Sequence, residues 1–141
     1  MPVFDIASIP PQATWPIRQQ VMWPDKPLDY VKLDQDDQGL HLGLKVEGKL
    51  VSIISAFIRG NEAQFRKFAT LTEEQGKGYG SHLLSYLIAE LEEQGIEKIW
   101  CNARQEKAGF YARFGLMQTA KTFSRGGIKY VIMEKRRTPE K

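Results

Sequence analysis

Between residues 40 and 94 the spacing of apolar residues changes from two to about 3.6, and that switch constrains the fold more than any other feature of the chain. Leu40, Leu42, Leu44 and Val46 alternate with His41, Gly43 and Lys45, the pattern of a strand with one buried face. After the turn signal Glu47-Gly48, Leu50 to Ile58 is a run of branched apolar residues that reads as a strand buried on both faces. Arg59 to Glu62 turns the chain again, and Ala63 to Leu71 is a third strand with weaker alternation. Three strands joined by short turns imply an antiparallel meander. Leu83, Leu84, Leu87, Ile88 and Leu91 then mark the apolar stripe of a helix from Tyr79 to Gln94, with Gly95 placed to end it. Ile96 to Cys101 is a further strand, so Ala63 to Cys101 forms a strand-helix-strand unit whose strands should be parallel and right-handed in crossover.

The flanks complete the sheet. Val3 to Ala7 is an opening strand, and Thr14 followed by Trp15-Pro16 reads as the N-cap of a helix running to Met22, with Ile17 and Val21 on one face. Trp23-Pro24-Asp25-Lys26-Pro27 cannot continue that helix and reads as an irregular lid or loop. Gln105 to Phe114 is a second helix closed by Gly115. Leu116 to Phe123 and Ile128 to Lys135 flank Ser124-Arg125-Gly126-Gly127 as a closing hairpin. The expectation is an α+β (mixed α/β) fold. Its mostly antiparallel twisted sheet has about six or seven strands with a parallel strand-helix-strand core, accompanied by about four helices. A length of 141 residues suits one domain over 1–141, with 136–141 expected to be a flexible basic tail.

Composition removes several classes. Net charge is +3, and its basic residues are spread along the chain except at Lys135, Arg136 and Arg137. That fits an anionic ligand better than a nucleic-acid surface, which would cluster Lys and Arg with stacking aromatics. Cys101 is the single cysteine, so an intramolecular disulfide and a multi-cysteine zinc site are excluded, and Cys101 itself reads as a small buried hydrophobe. The start of the chain lacks a basic leader segment, and the most apolar stretch, Leu50 to Ile58, is too short to span a bilayer. No membrane association and a cytoplasmic location are expected. The acidic segment Asp34 to Gly39 lacks the calcium-loop pattern and reads as a solvated turn; no metal is expected.

The chemistry is concentrated in Thr72-Glu73-Glu74-Gln75-Gly76-Lys77-Gly78-Tyr79-Gly80-Ser81, which joins a strand to the strongest helix. Glycines let the backbone approach a ligand, while the free N–H groups and positive dipole end of a helix N-terminus attract phosphate. Lys77 adds a full charge. Ser81 stands where the dinucleotide pattern G-x-G-x-x-G needs its third glycine, and the segment also fails the P-loop pattern with its closing Gly-Lys.

Gln75, Gly78 and Gly80 do meet the acyl-CoA signature Arg/Gln-x-x-Gly-x-Gly/Ala. With the order of elements around it, and with Ala108 to Leu116 similar to an aromatic-Tyr-x-x-x-Gly-Phe element, the chain resembles the GNAT superfamily of acyl-CoA-dependent N-acyltransferases. The resemblance implies that backbone groups of Phe68, Ala69 and Thr70 hold the pantetheine arm like an added strand. It implies that Gly76 through Ser81, with Tyr79 among them, cradle the pyrophosphate, and that Tyr111 lies near the thioester sulfur as general acid. Asn102 borders the presumed cleft. Arg104 stands where many members have Asn, and Lys107 where many have Ala, which leaves Arg104 to reach a phosphate or the pantetheine instead.

The expected activity is transfer of an acetyl group from acetyl-CoA to a primary amine by direct attack on the thioester. Backbone N–H groups of the Ala63 to Leu71 strand would hold the carbonyl, and Tyr111, with an ordinary pKa near 10, would protonate the leaving thiolate. The alternative is a non-catalytic acyl-CoA-binding sensor or assembly subunit. No base is named: His41 could line a cleft or face solvent, His82 sits near the phosphate end, and Glu62, Glu73 and Glu106 are weaker candidates. Trp15, Trp23 and Tyr30 could form an apolar acceptor pocket or pack the first helix on the sheet. A small-molecule amine is preferred to a protein acceptor. Its identity is not legible, and a homodimer is left open.

Overall fold

In a computed structural model describing residues 3–137, the alternating stretches become the strands β1 (Phe4–Ser8), β2 (Leu40–Val46), β3 (Lys49–Arg59), β4 (Glu62–Thr70), β5 (Lys98–Arg104), β6 (Met117–Arg125) and β7 (Ile128–Arg136). They form one seven-stranded sheet in the order β1-β2-β3-β4-β5-β7-β6. Every neighbouring pair is antiparallel except β4 and β5, the parallel pair that the strand-helix-strand pattern requires. The helices are α1 (Pro11–Met22), α2 (Tyr79–Glu93) and α3 (Ala108–Ala112), with short 3-10 turns at 28–31, 36–38, 72–74 and 105–107. There are thus three α-helices rather than about four. The expected helix from Gln105 to Phe114 is divided because Lys107, at φ −101° and ψ 1°, leaves the helical region ahead of α3.

Every residue of β3 from Val51 to Ala56 is buried, so both faces of the sheet are covered there. Helices α1 and α2 both pack on β2, β3 and β4, from opposite sides. Arg18 of α1 reaches Ser55, which lies opposite His41 in the β2–β3 register. Tyr79 and His82 of α2 instead meet Phe4, whose partner Val46 belongs to the alternate face of β2. The stripe of Leu83, Leu84, Leu87 and Leu91 is buried against the sheet, each side chain contributing about 1.5–3 kcal/mol by removal from water. The chain leaves α2 through Gly95, whose N–H donates to Glu92 O, while Ile96 N–H returns to Leu91 O.

Three local expectations are corrected. Helix α1 begins at Pro11, after Pro10, and Thr14 lies inside it, buried, with its hydroxyl donating to Pro11 O at 2.6 Å. Proline at the first helical position starts the helix there, because its fixed φ is already helical and its missing N–H is not needed. The acidic segment from Asp34 to Gly39 is not simply a solvated turn, since Asp36 is buried against Arg18. Lys135 and Arg136 are in β7, paired with Ile99 and Lys98, and Lys135 Nζ meets Glu92 at 2.8 Å. Arg137 N–H donates to Glu97 O at 2.8 Å, and residues 138–141 of the expected tail lie outside the described residues. Among the described residues no helix is long and apolar enough to cross a membrane.

Candidate functional site

The parallel pair is joined only at its start: Glu62, Ala63 and Gln64 pair with Lys98, Ile99 and Trp100. Beyond those rungs β4 and β5 part, opening a wedge between residues 65–70 and 101–104. An unpaired strand edge presents N–H and C=O groups that can accept an added strand. The register of β4 on β3 slips between Ile53 and Ser55, and the extra residue falls near Lys67, a non-glycine residue at φ +56°. The slip explains the weak alternation of this strand. It also sets Phe65 and Phe68 on one side of the sheet, where they meet Tyr111 and Phe110 at ring-centroid distances of 5.8 and 6.2 Å.

The mouth of the wedge on that side is the glycine loop. Gly78, at φ +87°, is the N-cap of α2, and a Cβ there would meet nothing within 4 Å. A side chain at Gly78 is disfavoured by the backbone conformation and by nothing else the structure provides, which suits a position approached by a ligand. The first helical bond runs from His82 N–H to Gly78 O, so the N–H groups of Tyr79, Gly80 and Ser81 have no acceptor within the helix. Gly80 packs closely: a Cβ would stand 3.2 Å from Phe68 Cζ and 3.3 Å from Thr70 Oγ1. Gln75 ties the loop to the strand by donating from Nε2 to Thr70 O at 3.0 Å. Lys77 is exposed, and its hydrogen bond to Glu74 at 2.8 Å, with that carboxylate's charge, raises its pKa. Together these groups can bind an anion with backbone donors and one mobile cation.

Tyr111 sits on α3 between Phe65 and Phe110, and its hydroxyl makes no hydrogen bond to another described residue. Burial pushes its pKa above the ordinary value, with the nearby Cys101 adding to the rise and Arg104 opposing it. The phenol is therefore neutral across the working range of most enzymes and a weaker acid than expected. Burial alone pushes the Cys101 thiol up to about 12, which keeps it protonated and unreactive. Asn102 and Arg104 are exposed on β5, alternating with buried Cys101 and Ala103; Arg104 lies 3.9 Å from Glu106.

The opposite side of the wedge is built from side chains. Arg18 grips Asp36 with two hydrogen bonds of 2.9 Å and also donates to Ser55 Oγ and Val31 O. Burial raises the Asp36 pKa, but hydrogen bonds from Arg18, Leu33 N–H and Trp15 and the Arg18 charge outweigh it, holding the carboxyl at about 2. His41 neither lines a cleft nor faces solvent. It is buried, with Nδ1 2.7 Å from Ser55 Oγ and Nε2 2.7 Å from Asp36 O, a fixed structural group. His82 is exposed and packs on Phe4 at 4.9 Å. Glu62, Glu73 and Glu106 are exposed and within 4.0 Å of Lys98, Lys49 and Arg104. Trp15 donates to Asp36 from the first helix, while Trp23 and Tyr30 form an exposed edge-to-face pair.

The structure thus brings Phe68, Thr70, Gln75, Gly80, Phe110 and Tyr111 to one side of the wedge, with Gly76 to Ser81 at its mouth and Asn102 and Arg104 on its far wall. Sequence reasoning missed Arg66 and Lys67, half-buried where β4 changes register. The available signal was two adjacent cations in a strand that otherwise alternates.

Residues 25–137 match the family model described as "Acetyltransferase (GNAT) domain". The chain is 27% identical over 143 residues to the uncharacterized N-acetyltransferase YitI of Bacillus subtilis (strain 168), covering 94% of this chain and 96% of that one. Its fold is similar to that of the ribosomal-protein-S18-alanine N-acetyltransferase from Escherichia coli, with TM-score 0.80 and 22% identity over 95% of this chain and 94% of that one. It is also similar to the PaiA N-acetyltransferase from Thermoplasma acidophilum in complex with coenzyme A, with TM-score 0.72 and 16% identity over 96% and 99% of the two chains. With most of its length inside the family model, the chain belongs to the GNAT acetyltransferase family.

Proposed function

We propose that the protein is an N-acetyltransferase that moves an acetyl group from acetyl-CoA to a primary amine by direct attack on the thioester. The observation that carries this reading is the placing of the glycine loop at the mouth of the β4–β5 wedge, on the side where Phe68, Phe110 and Tyr111 gather. Gly76, Lys77, Gly78, Tyr79, Gly80 and Ser81 bind the pyrophosphate through backbone N–H groups and the Lys77 charge, with Gln75 holding the loop to β4. The free edge at Phe68, Ala69 and Thr70 takes the pantetheine arm as an added strand, with Asn102 and Arg104 bordering it from β5.

Acetyl-CoA supplies a thioester, whose carbonyl is activated by hydrogen bonds and whose sulfur is a good leaving group. Backbone N–H groups at the β4 slip stabilise the charge that develops on oxygen. The amine nitrogen forms its bond to the carbonyl carbon, the carbon–sulfur bond breaks, and the Tyr111 hydroxyl gives its proton to the sulfur. The proton lost by the amine passes to water and restores Tyr111. A half-buried Tyr111, its pKa raised above the ordinary value, holds its proton for this step at neutral pH.

The likeness to an enzyme solved with coenzyme A supports the donor, and the family supports acyl transfer. The test is release of free CoA thiol from acetyl-CoA over a panel of amines. Amine-dependent release supports the reading. Tight binding of acetyl-CoA with no release from any amine would instead identify a sensor or assembly subunit.

A further inference from the structure

Arg66 lies on the side of the sheet away from the glycine loop, and Lys67 is close enough to Arg66, Arg18 and Asp36 for their charges to act on it. Arg66 stands opposite Ser55, the residue whose hydroxyl Arg18 and His41 hold, and so shares the α1 face with them. Lys67 follows in a left-handed conformation that L-residues adopt rarely and that strand geometry alone would not select. Both side chains are half-buried. Among the described residues neither has a hydrogen bond or an ion pair. Burial first, and then the charges of Arg18 and Arg125 on Arg66 and of Arg66 and Arg18 on Lys67, hold both below their ordinary pKa values against the opposing charge of Asp36.

The carboxylates on this face are already used. Asp36 is taken by Arg18, by Trp15 Nε1 and by Leu33 N–H, and Glu62 lies 3.7 Å from Lys98. Two partly desolvated cations that repel each other, with their acidic neighbours committed elsewhere, form an arrangement a bound anion would complete.

We propose that the amine acceptor carries an anionic group, a carboxylate or a phosphate, which Arg66 and Lys67 hold on the α1 side of the wedge while the amine faces the donor side. This rests on the N-acetyltransferase reading and adds the chemical class of the acceptor. Arg66 presents a planar fork suited to either oxyanion, and Lys67 adds a point charge. The same positive field disfavours polyamines and other cationic acceptors.

The experiment compares matched pairs: glycine with glycinamide, β-alanine with its amide, and phosphoethanolamine with ethanolamine, alongside spermidine. Acetyl-CoA binding is titrated separately by calorimetry in wild type and in Arg66→Gln/Lys67→Gln. At least one anionic member should exceed its neutral mate roughly 10- to 100-fold in kcat/KM, the span of charge-assisted hydrogen bonds. The double variant should erase that ratio, keep its acetyl-CoA affinity and unfold at no lower denaturant concentration, because like charges have been removed. A preference confined to the carboxylate pairs or to the phosphate pair identifies which anion is held. Neutral or cationic amines turned over as well as anionic ones, or a preference that survives the double variant, overturn the proposal. Should acetyl-CoA bind and no pair react, the functional reading fails. The pairs are then compared as ligands of the CoA complex by calorimetry, and equal affinity within every pair overturns the acceptor proposal on its own.

Discussion

The two sides of the β4–β5 wedge are made of different materials. On the α2 side the loop from Gly76 to Ser81 offers backbone N–H groups, and a side chain at Gly78 would touch nothing. On the α1 side lies a buried network of the side chains of Arg18, Asp36, His41 and Ser55, contributed by α1, a 3-10 turn, β2 and β3. A backbone site depends on chain conformation and tolerates changes of surface charge. A side-chain site depends on charges that must be neutralised, and disturbing it disturbs the fold.

The largest effect should come from breaking the side-chain half. Arg18→Met leaves Asp36 as a buried carboxylate without its partner, and we expect a loss of about 3–5 kcal/mol by urea denaturation, largely recovered by adding Asp36→Leu. A small loss in the single variant would show that the pair is not the anchor of that face. The same pair sets an acid limit. The folded Asp36 pKa, about 2, lies below the unfolded value near 3.9, so its contribution is complete above about pH 4 and fades as pH falls towards 2. In Arg18→Met/Asp36→Leu that part of the acid dependence should vanish.

Tyr111→Phe should lower turnover roughly 10- to 1000-fold, within the usual range for a lost acid or base. It should leave thermal stability nearly unchanged, since the hydroxyl has no hydrogen-bond partner among the described residues to lose. Because burial raises the tyrosine pKa, wild-type activity should not decline between pH 8 and 10 through its ionisation. A fall in that window that disappears in Tyr111→Phe would show that the tyrosine titrates there and contradict the raised pKa. The smallest effect is expected at Lys77→Gln, which removes an exposed charge paired with Glu74: a several-fold loss of acetyl-CoA affinity, steeper at low salt, with stability nearly unchanged. A loss of a hundredfold would move the donor site from backbone to side chain and remove the contrast between the two halves.

The α2 side, with its glycine loop, was legible because its features are local. The switch from strand to helix period, the alternating glycines and the apolar stripe from Leu83 to Leu91 all fall within one continuous segment, and the parallel β4–β5 pair follows from them. The α1 side was not legible because it joins positions far apart in the chain. Nothing near Asp36 marks it as the partner of Arg18, and an acidic turn read alone is a solvated turn. His41 alternates correctly with Leu40 and Leu42, yet its fate is decided by Ser55 and by a 3-10 turn that covers it. The slip at Lys67 is likewise set by pairing with β3, so the strand appeared only as weak alternation, and Arg66 and Lys67 passed unnoticed.

The central claim is that acetyl-CoA is held by the backbone of the glycine loop. Calorimetric titration of acetyl-CoA into wild type and Gly78→Val tests it most directly, since valine is forced into a conformation costing roughly 1–2 kcal/mol while no neighbour lies within 4 Å of its Cβ to be displaced. The account predicts binding by wild type and an affinity at least about tenfold weaker in the variant, with both proteins folded. Equal binding by the two, or none by wild type, would contradict it.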